Sequence, residues 1–184
     1  MRIITTAAAA LSAAALTVGL AGPANADLYG IDDPEDTSHG SDILALQFRN
    51  GADNLHITTY HLGLRKDPRT GSGGAFFLDT DRHDKGPEYV LVGGFFEGTD
   101  YQLLETEGFA ADKWGAPVED GDYSMRVNYA KERVHVRISR ETLGEPGEVR
   151  IAVRASGTRT DGTSTGLVDW VGDRRELTPW VEQG

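Results

Sequence analysis

The fold class is decided by residues 44–59, which read LALQFRNGADNLHITT. Apolar side chains alternate with polar or small ones from Leu44 to Phe48, and the alternation resumes at Leu55 after the segment 50–53. A period of two places every second side chain on the same face of a β-strand, and Asn-Gly favours a tight reversal of the chain. The stretch therefore predicts two antiparallel strands joined as a hairpin.

Six further segments show the same alternation or a short apolar run. They cover residues 75–78, 89–92, 101–106, 125–129, 134–138 and 149–153. The run at 75–78 reads AFFL, and its lack of alternation predicts a central strand that is buried on both faces. Roughly eight or nine strands result, spaced by about 8–12 residues. We therefore predict an all-β fold, an antiparallel, jelly-roll-like β-sandwich.

The amino-terminal segment has the three parts of a secretory signal peptide. Arg2 gives a positive start, residues 3–20 are apolar and almost uncharged, and Ala24-Asn25-Ala26 fits the small-x-small cleavage pattern. A membrane anchor is less favoured, because the apolar run is rich in Ala, Thr and Ser and ends at Gly22-Pro23. We predict that residues 1–26 are a cleaved signal peptide, that 27–41 form a flexible acidic leader and that 42–184 form the β-sandwich domain.

Charge and composition limit the classes of partner that the protein is expected to bind. The sequence has 29 acidic and 18 basic residues, for a net charge of −11. Removal of Arg2 with the signal peptide makes this about −12, which disfavours nucleic acid and anionic membranes as partners. The chain has no cysteine, so disulfides, thiolate ligands and lipid attachment at cysteine are excluded. We expect a monomer without a membrane anchor, secreted by the general secretory route.

Two short motifs carry a resemblance. Residues 77–81 read FLDTD and residues 86–89 read GPEY. With Ser41-Asp42-Ile43 before the first predicted strand, and RETLG at 140–144 after a late one, they resemble family-nine-like carbohydrate-binding modules and the related DOMON domains. The layout, over about residues 41–182, is also similar to that of a narrower group of small secreted bacterial proteins. The resemblance implies an antiparallel β-sandwich, often with a structural calcium ion.

The chain departs from these families at their ligand sites. Family-nine modules clamp a sugar between two tryptophans, and none of Trp114, Trp170 and Trp180 can be matched securely to that clamp. DOMON domains that bind haem use Met and His ligands. Met125 is the only methionine after the signal peptide, and no partner histidine stands out. Haem is therefore disfavoured as a cofactor.

An acidic loop is the predicted metal site. Asp79, Asp81, Asp84 and Glu88 supply four carboxylates within ten residues. Calcium takes six to eight oxygen ligands, and this loop could provide several of them, although its spacing is not that of an EF-hand. We predict these four residues as calcium ligands. The alternative is an acidic turn whose carboxylates accept hydrogen bonds from backbone amides.

Aromatic residues in or near irregular stretches are candidate ligand contacts. Trp114, Trp170 and Tyr101 are predicted to contact a ligand, because aromatic faces pack against the apolar faces of sugar rings. The alternative is that these large side chains close the ends of the sandwich core.

Basic residues on predicted strands are the second set of candidates. Arg126 and Arg137 lie on the polar sides of their strands, as do His135, Arg150 and Arg154. If the three strands are neighbours, these residues form a positive patch that could bind an acidic polysaccharide or a carboxylate ligand. The alternative is a solvated face whose cations pair with nearby acids.

These features favour a non-catalytic binding module for carbohydrate or cell-wall glycan. The alternative is a structural, interaction or inhibitor protein that binds another extracellular protein. A small hydrolase is less favoured, because the sequence has neither Gly-x-Ser-x-Gly nor His-Glu-x-x-His. A clustered, exposed pair of tryptophans beside a groove would favour sugar, whereas buried tryptophans and a flat apolar patch would favour a protein partner.

Overall fold

A computed structural model describes residues 28–159, 163 and 165–184, and the predicted signal peptide lies outside them. The described part contains twelve strands and four short 3-10 turns. The strands are β1 (Leu28–Asp32), β2 (Ile43–Asn50), β3 (Asn54–His61), β4 (Gly73–Asp79), β5 (Tyr89–Gly94), β6 (Tyr101–Thr106), β7 (Trp114–Pro117), β8 (Tyr123–Asn128), β9 (Arg133–Ser139), β10 (Glu148–Thr158), β11 (Gly166–Trp170) and β12 (Val181–Glu182). The 3-10 turns are Pro68–Thr70, Ala111–Lys113, Tyr129–Lys131 and Glu141–Leu143.

The strands form two antiparallel sheets. The five-stranded sheet has the order β1-β2-β3-β9-β8. The seven-stranded sheet has the order β11-β10-β4-β5-β6-β7, and β12 also pairs with β10. The predicted all-β, antiparallel fold is therefore confirmed, with more strands than the alternation revealed.

The hairpin at residues 44–59 forms as predicted. In β2 and β3, Phe48 lies opposite Ile57, and both side chains are fully buried. The turn is closed by a hydrogen bond that the Gly51 amide donates to the Asn54 carbonyl (3.1 Å). The alternation thus marks the buried face correctly in β3 and from Leu46 onward in β2, because a period of two matches the pleat. A register shift between Ile43 and Ala45 buries Ile43 and leaves Leu44 half-buried.

Strand β4 occupies the centre of the seven-stranded sheet, between β10 and β5. Phe76 and Leu78 point into the core between the two sheets, whereas Ala75 and Phe77 point to the opposite face and are also buried. The prediction of a strand buried on both faces is confirmed. A second apolar layer therefore covers the outer side of this sheet.

The first described residues belong to the sandwich. Strand β1 pairs with β2, with Tyr29 opposite Phe48, and the Asp33 amide donates to the Leu44 carbonyl (2.9 Å). Residues 28–32, part of the predicted flexible leader at 27–41, therefore lie in the five-stranded sheet ahead of the predicted start of the domain at residue 42. Four of the five residues of β1 are exposed, so this edge strand lacks the apolar alternation that reveals a half-buried strand.

The main core lies between the sheets. It is formed by inward-facing aliphatic and aromatic side chains of both sheets, which include Leu46, Phe48, Leu55, Ile57, Phe76, Leu78, Leu91, Leu103, Val134, Val136, Ile138, Val149, Ile151 and Val153.

No helix in the part of the chain described is long and apolar enough to cross a membrane.

Candidate functional site

The outer face of the seven-stranded sheet carries the second apolar layer. Its base consists of four buried side chains on the three central strands, Ala75, Phe77, Val90 and Ala152. Side chains from the loop before β7, from β7, from β11 and from the carboxyl-terminal tail pack over this base; they include Phe109, Trp114, Trp170 and Leu177. A β-sheet with apolar residues on both faces must be covered on both, and aromatic side chains cover the largest area per residue.

Phe77 is the centre of this aromatic cluster. The Trp170 ring stacks on it with centroids 5.8 Å apart and an interplanar angle of 12°. Phe109 contacts the same ring edge-on at 4.9 Å, and Trp114 lies 6.4 Å away. The structure therefore brings together Trp114 and Trp170, two of the residues predicted from the sequence as ligand contacts. Both tryptophans are half-buried.

Arg154 lies between the two tryptophans. Its guanidinium carbon is 5.9 Å from the ring centroid of Trp114 and 5.9 Å from that of Trp170. Strand register explains the placement, since Arg154 on β10 lies directly opposite Trp170 on β11. Both distances are within the range of a cation–π contact.

The Arg154 guanidinium has no anionic partner in the described residues. Its Nε and the indole Nε1 of Trp114 are both buried without a hydrogen-bond acceptor. Burial lowers the pKa of Arg154, although an arginine stays charged at neutral pH. A half-buried cation without a carboxylate is an arrangement that a ligand carboxylate would stabilise.

A groove opens beside Arg154 on this face. Its volume is about 500 Å³. It combines apolar side chains with three arginines, and its lining is Phe109, Ala110, Arg154, Val168, Trp170, Arg174 and Arg175. We call it the arginine–tryptophan groove. Aromatic and cationic groups side by side can hold the apolar face of a ring and an anionic substituent at the same time.

The other predicted ligand contacts lie elsewhere. Tyr101 packs edge-on against Tyr123, with ring centroids 6.2 Å apart. Arg126 and Arg137 lie on the outer face of the five-stranded sheet, and Arg137 donates to Asn54 Oδ1 (2.7 Å) and pairs with a carboxylate of that face. The five predicted contacts therefore do not form one site.

The predicted positive patch is likewise divided between the sheets. Arg126, His135 and Arg137 lie on β8 and β9 of the five-stranded sheet. Arg150 and Arg154 lie on β10 of the seven-stranded sheet. Strands β9 and β10 follow one another in sequence but belong to opposite sheets, which alternation within each strand cannot reveal. The patch becomes two separate basic faces.

The acidic loop at 79–88 does not gather its carboxylates around one point. Buried Asp79 forms an ion pair with Arg150, whose Nε is 2.8 Å from Oδ2. Each of the other three carboxylates also accepts hydrogen bonds locally. For all four carboxylates, the hydrogen-bond donors are Arg150 to Asp79, His83 to Asp81, the Lys85 amide to Asp84, and the amide and hydroxyl of Thr80 to Glu88. These local hydrogen bonds are those of the alternative interpretation, an acidic turn, whereas Asp79 Oδ1 is buried without a hydrogen-bond partner.

A different acidic cluster lies on the opposite side of the fold. Asp36, Asp42 and Asp169 each place a carboxylate oxygen within 4.8 Å of the others. Asp42 is fully buried and Asp169 is 4% exposed, whereas Asp36 faces solvent. Sequence reasoning missed this cluster, because Asp169 is far from the other two along the chain. The signals available were Asp42 at the entry to β2 and the Asp169-Trp170 pair in the tail.

Hydrogen bonds fix the orientation of the two buried carboxylates. Asp42 Oδ1 accepts from the amides of Asp36 (3.0 Å) and Thr37 (2.6 Å), and from the Thr37 hydroxyl (3.2 Å). Asp42 Oδ2 is buried and has no hydrogen-bond partner. Asp169 Oδ2 accepts from the Ile43 amide (2.7 Å). One oxygen of each buried carboxylate is thus used to tie the chain together.

The cluster is strongly negative. Burial, followed by the charges of Asp36 and Asp33, raises the pKa of Asp169 to about 7. Burial also raises the pKa of Asp33, which accepts from the Gly172 amide (2.8 Å). His61 is buried nearby, and burial lowers its pKa to about 4, so it is neutral at pH 7 and supplies no balancing charge.

Together, these observations define an all-β sandwich with a groove on the outer face of its seven-stranded sheet. No family model matches the sequence, and a search of curated proteins finds no significant relative.

Proposed function

We propose that this protein is a secreted, non-catalytic binding module and that its ligand is an acidic carbohydrate held in the arginine–tryptophan groove. The observation that carries the proposal is the position of Arg154, whose guanidinium lies between Trp114 and Trp170 with no carboxylate of the described residues paired to it. The two tryptophans are clustered but half-buried, and Trp170 alone of the two lines the groove, so the criterion of a clustered, exposed pair beside a groove is met in part.

The two kinds of side chain recognise two parts of such a ligand. The parts of Trp170 and Phe109 that line the groove supply apolar surface for the C–H face of a sugar ring. Arg154 supplies a planar donor pair for the carboxylate of a uronic acid, a geometry that allows two parallel hydrogen bonds. Arg174 and Arg175 add positive charge at the same groove.

Local charge opposes the charge of the whole protein. The chain has a net charge of −11, so a polyanion is repelled by most of its surface and attracted only where arginines cluster. An acidic glycan therefore binds at the groove rather than all over the molecule. Added salt weakens both the attraction and the repulsion.

A binding screen with matched polysaccharides tests the proposal. Purified protein is titrated with polygalacturonate and, in parallel, with neutral polysaccharides such as cellulose and starch fragments, by calorimetry and affinity electrophoresis. We expect polygalacturonate to bind and the neutral polymers to bind at least about tenfold more weakly, which corresponds to the loss of one charge-assisted contact of about 1.4 kcal/mol.

Two arginine variants locate the site. Arg154→Gln should lower affinity for polygalacturonate by about tenfold or more, whereas Arg126→Gln on the opposite sheet should leave it unchanged. Thermal melts establish that both variants are folded. Absence of binding to every acidic polymer tested, or equal losses in the two variants, would contradict the proposal.

The basic outer face of the five-stranded sheet supports a second candidate, an acidic extracellular protein as partner. On this face the rings of His56 and His135 stack with centroids 5.5 Å apart, and Arg126 lies opposite His135. An acidic protein bound there would lose affinity in Arg126→Gln and keep it in Arg154→Gln. The same pair of variants therefore distinguishes the two candidates.

A further inference from the structure

The acidic cluster of Asp36, Asp42 and Asp169 has the dimensions of a cation site. Its three carboxylate oxygens lie within 4.8 Å of one another. Calcium binds oxygen at about 2.3–2.6 Å, so two ligands of one ion are separated by no more than about 5 Å. The three side chains can therefore contact one ion without a rearrangement of the backbone.

An unpartnered buried oxygen points to a ligand in this cluster. The Asp42 side chain is fully buried, and its Oδ2 has no hydrogen-bond donor, although its Oδ1 accepts three hydrogen bonds. A buried carboxylate oxygen without a partner is costly, and such groups are normally paired or coordinate a metal. Asp42 thus has one oxygen committed to the fold and one that is buried without a partner.

The part of the chain that the structure describes supplies no cation to this cluster. Neither Lys nor Arg of the described residues forms an ion pair with Asp36, Asp42 or Asp169. Asp33 lies close enough to add to the negative potential. Buried carboxylates at this separation repel each other strongly unless a positive charge lies between them.

We propose that Asp36, Asp42 and Asp169 bind a calcium ion, with Asp33 contributing charge beside them. All the donors are carboxylate oxygens, which calcium prefers, and no cysteine is present in the chain to favour a softer metal. The exposed side of Asp36 gives the ion a path from solvent. This site is independent of the arginine–tryptophan groove.

The ion would join the two sheets. Asp36 and Asp42 lie in the connection that leads into β2 of the five-stranded sheet, and Asp169 lies on β11 of the seven-stranded sheet. Two hydrogen bonds already run between these parts, from the Ile43 amide to Asp169 and from the Gly172 amide to Asp33. Calcium thus acts as a structural clamp in a domain that has no disulfide.

Calorimetry and thermal melts of chelator-treated protein test the site. We expect one calcium ion to bind per chain, with a rise in melting temperature of about 5–10 °C at a calcium concentration one hundred times Kd. Magnesium at the same concentration should give a much smaller shift, because it demands a smaller octahedral site. Absence of heat and of any shift, or an equal response to magnesium, would overturn the assignment.

Variants separate this site from the acidic loop. Asp169→Asn should abolish the calcium-dependent shift and leave the metal-free protein at least as stable, because it removes one of the repelling charges. The matched control, Asp81→Asn with Asp84→Asn, should keep the full shift. If Asp169→Asn kept the shift and the control lost it, the ion would lie in the acidic loop and the proposal would be wrong.

Discussion

At the scale of single residues, buried polar side chains connect distant parts of the chain. Arg140 is only 1% exposed, yet its guanidinium donates to Asn50 Oδ1 (2.7 Å) and to the Pro146 carbonyl. It thereby joins the end of β2 to the turn after β9. The sequence predicts the short turn itself, because a glycine follows residues 140–143. In the structure, Gly144 closes the turn at a φ of 78°. It does not predict that Arg140 is buried.

The stacked pair of His56 and His135 leads to a prediction about pH. Burial, followed by the charges of Arg49 and Arg137, lowers the pKa of His56, and burial followed by the charge of His56 lowers that of His135. Both pKa values therefore lie below about 6.5, the ordinary value in an unfolded chain. At a pH between the folded-state and unfolded-state pKa values, the unfolded state binds more protons than the folded state. The contribution of the two histidines to stability is therefore full above about pH 6.5 and falls as the pH drops.

Ring-proton titration by NMR measures the two pKa values directly, and melts between pH 7.5 and 5 measure the effect on stability. The double variant His56→Gln with His135→Gln should lose less stability over this range than the natural sequence, because the other titrating groups are common to both. The charges of Arg126 and Arg133 also lower the pKa of His135. The single variant His56→Gln should therefore restore the pKa of His135 only partly. Histidine pKa values at or above 6.5 in the folded protein would contradict the prediction.

At the scale of elements, β4 shows how closely the layers approach. A Cβ atom on Gly74 would lie 2.4 Å from Cζ of Phe95, a fully packed ring. Glycine is therefore required at this position for packing rather than for backbone freedom. Strand β11 offers a contrast, because a Cβ on Gly166 would meet nothing within 4 Å.

Gly74→Ala should lower the free energy of unfolding by about 1–3 kcal/mol, since the ring of Phe95 must move out of its packed position. Gly166→Ala is the matched control and should be neutral or slightly stabilising, because it only restricts the unfolded chain. Chemical denaturation of both variants measures the difference. Equal stability of the two variants would show that Phe95 has room to move.

The elements also show where sequence patterns lose their power. The alternating and apolar runs revealed eight of the twelve strands, among them β2, β3 and β4. Strands β1, β7 and β12 are short, and β1 and β7 are mostly exposed, so no apolar period marks them. Strand β11 was also missed, because one of its two buried residues is the polar Asp169. Their strand conformation depends on hydrogen bonds to a neighbour that is already in place.

At the scale of the whole molecule, the seven-stranded sheet separates two apolar layers. Phe76 faces the core between the sheets, and Phe77 faces the outer layer beneath Trp114 and Trp170. Both side chains are fully buried on the same strand. Adjacent residues therefore support different parts of the protein, one the main core and the other the groove.

Phe76→Ala and Phe77→Ala should each destabilise the fold by about 3–5 kcal/mol, because each leaves a large cavity. Only Phe77→Ala should also weaken binding of acidic glycan at temperatures where the protein stays folded, since it removes the ring on which Trp170 stacks. Melting curves, tryptophan fluorescence and glycan titrations compare the two. Equal effects on binding would show that the outer layer does not position the groove.

The candidate sites also include some residues that the sequence indicates and others that only the folded chain brings together. Sequence reasoning selected Trp114 and Trp170 because aromatic residues in irregular stretches often contact ligands. Their approach requires β7 to pair with β6 and β11 to pair with β10. The acidic cluster was not found from the sequence, because Asp36 and Asp42 come close to Asp169 only when the two sheets pack together. Local charge density pointed to residues 79–88, where each carboxylate has its own partner.

By itself the sequence determined the all-β class, the hairpin at 44–59 and the strand buried on both faces. Each of these depends on the period of apolar residues within one segment, and burial selects that period locally. Tertiary structure alone decided which strands beyond this hairpin are neighbours, and so placed Arg154 between two tryptophans and Asp169 beside Asp42. Pairing between strands far apart in sequence depends on the packing of the whole core, which no single segment encodes.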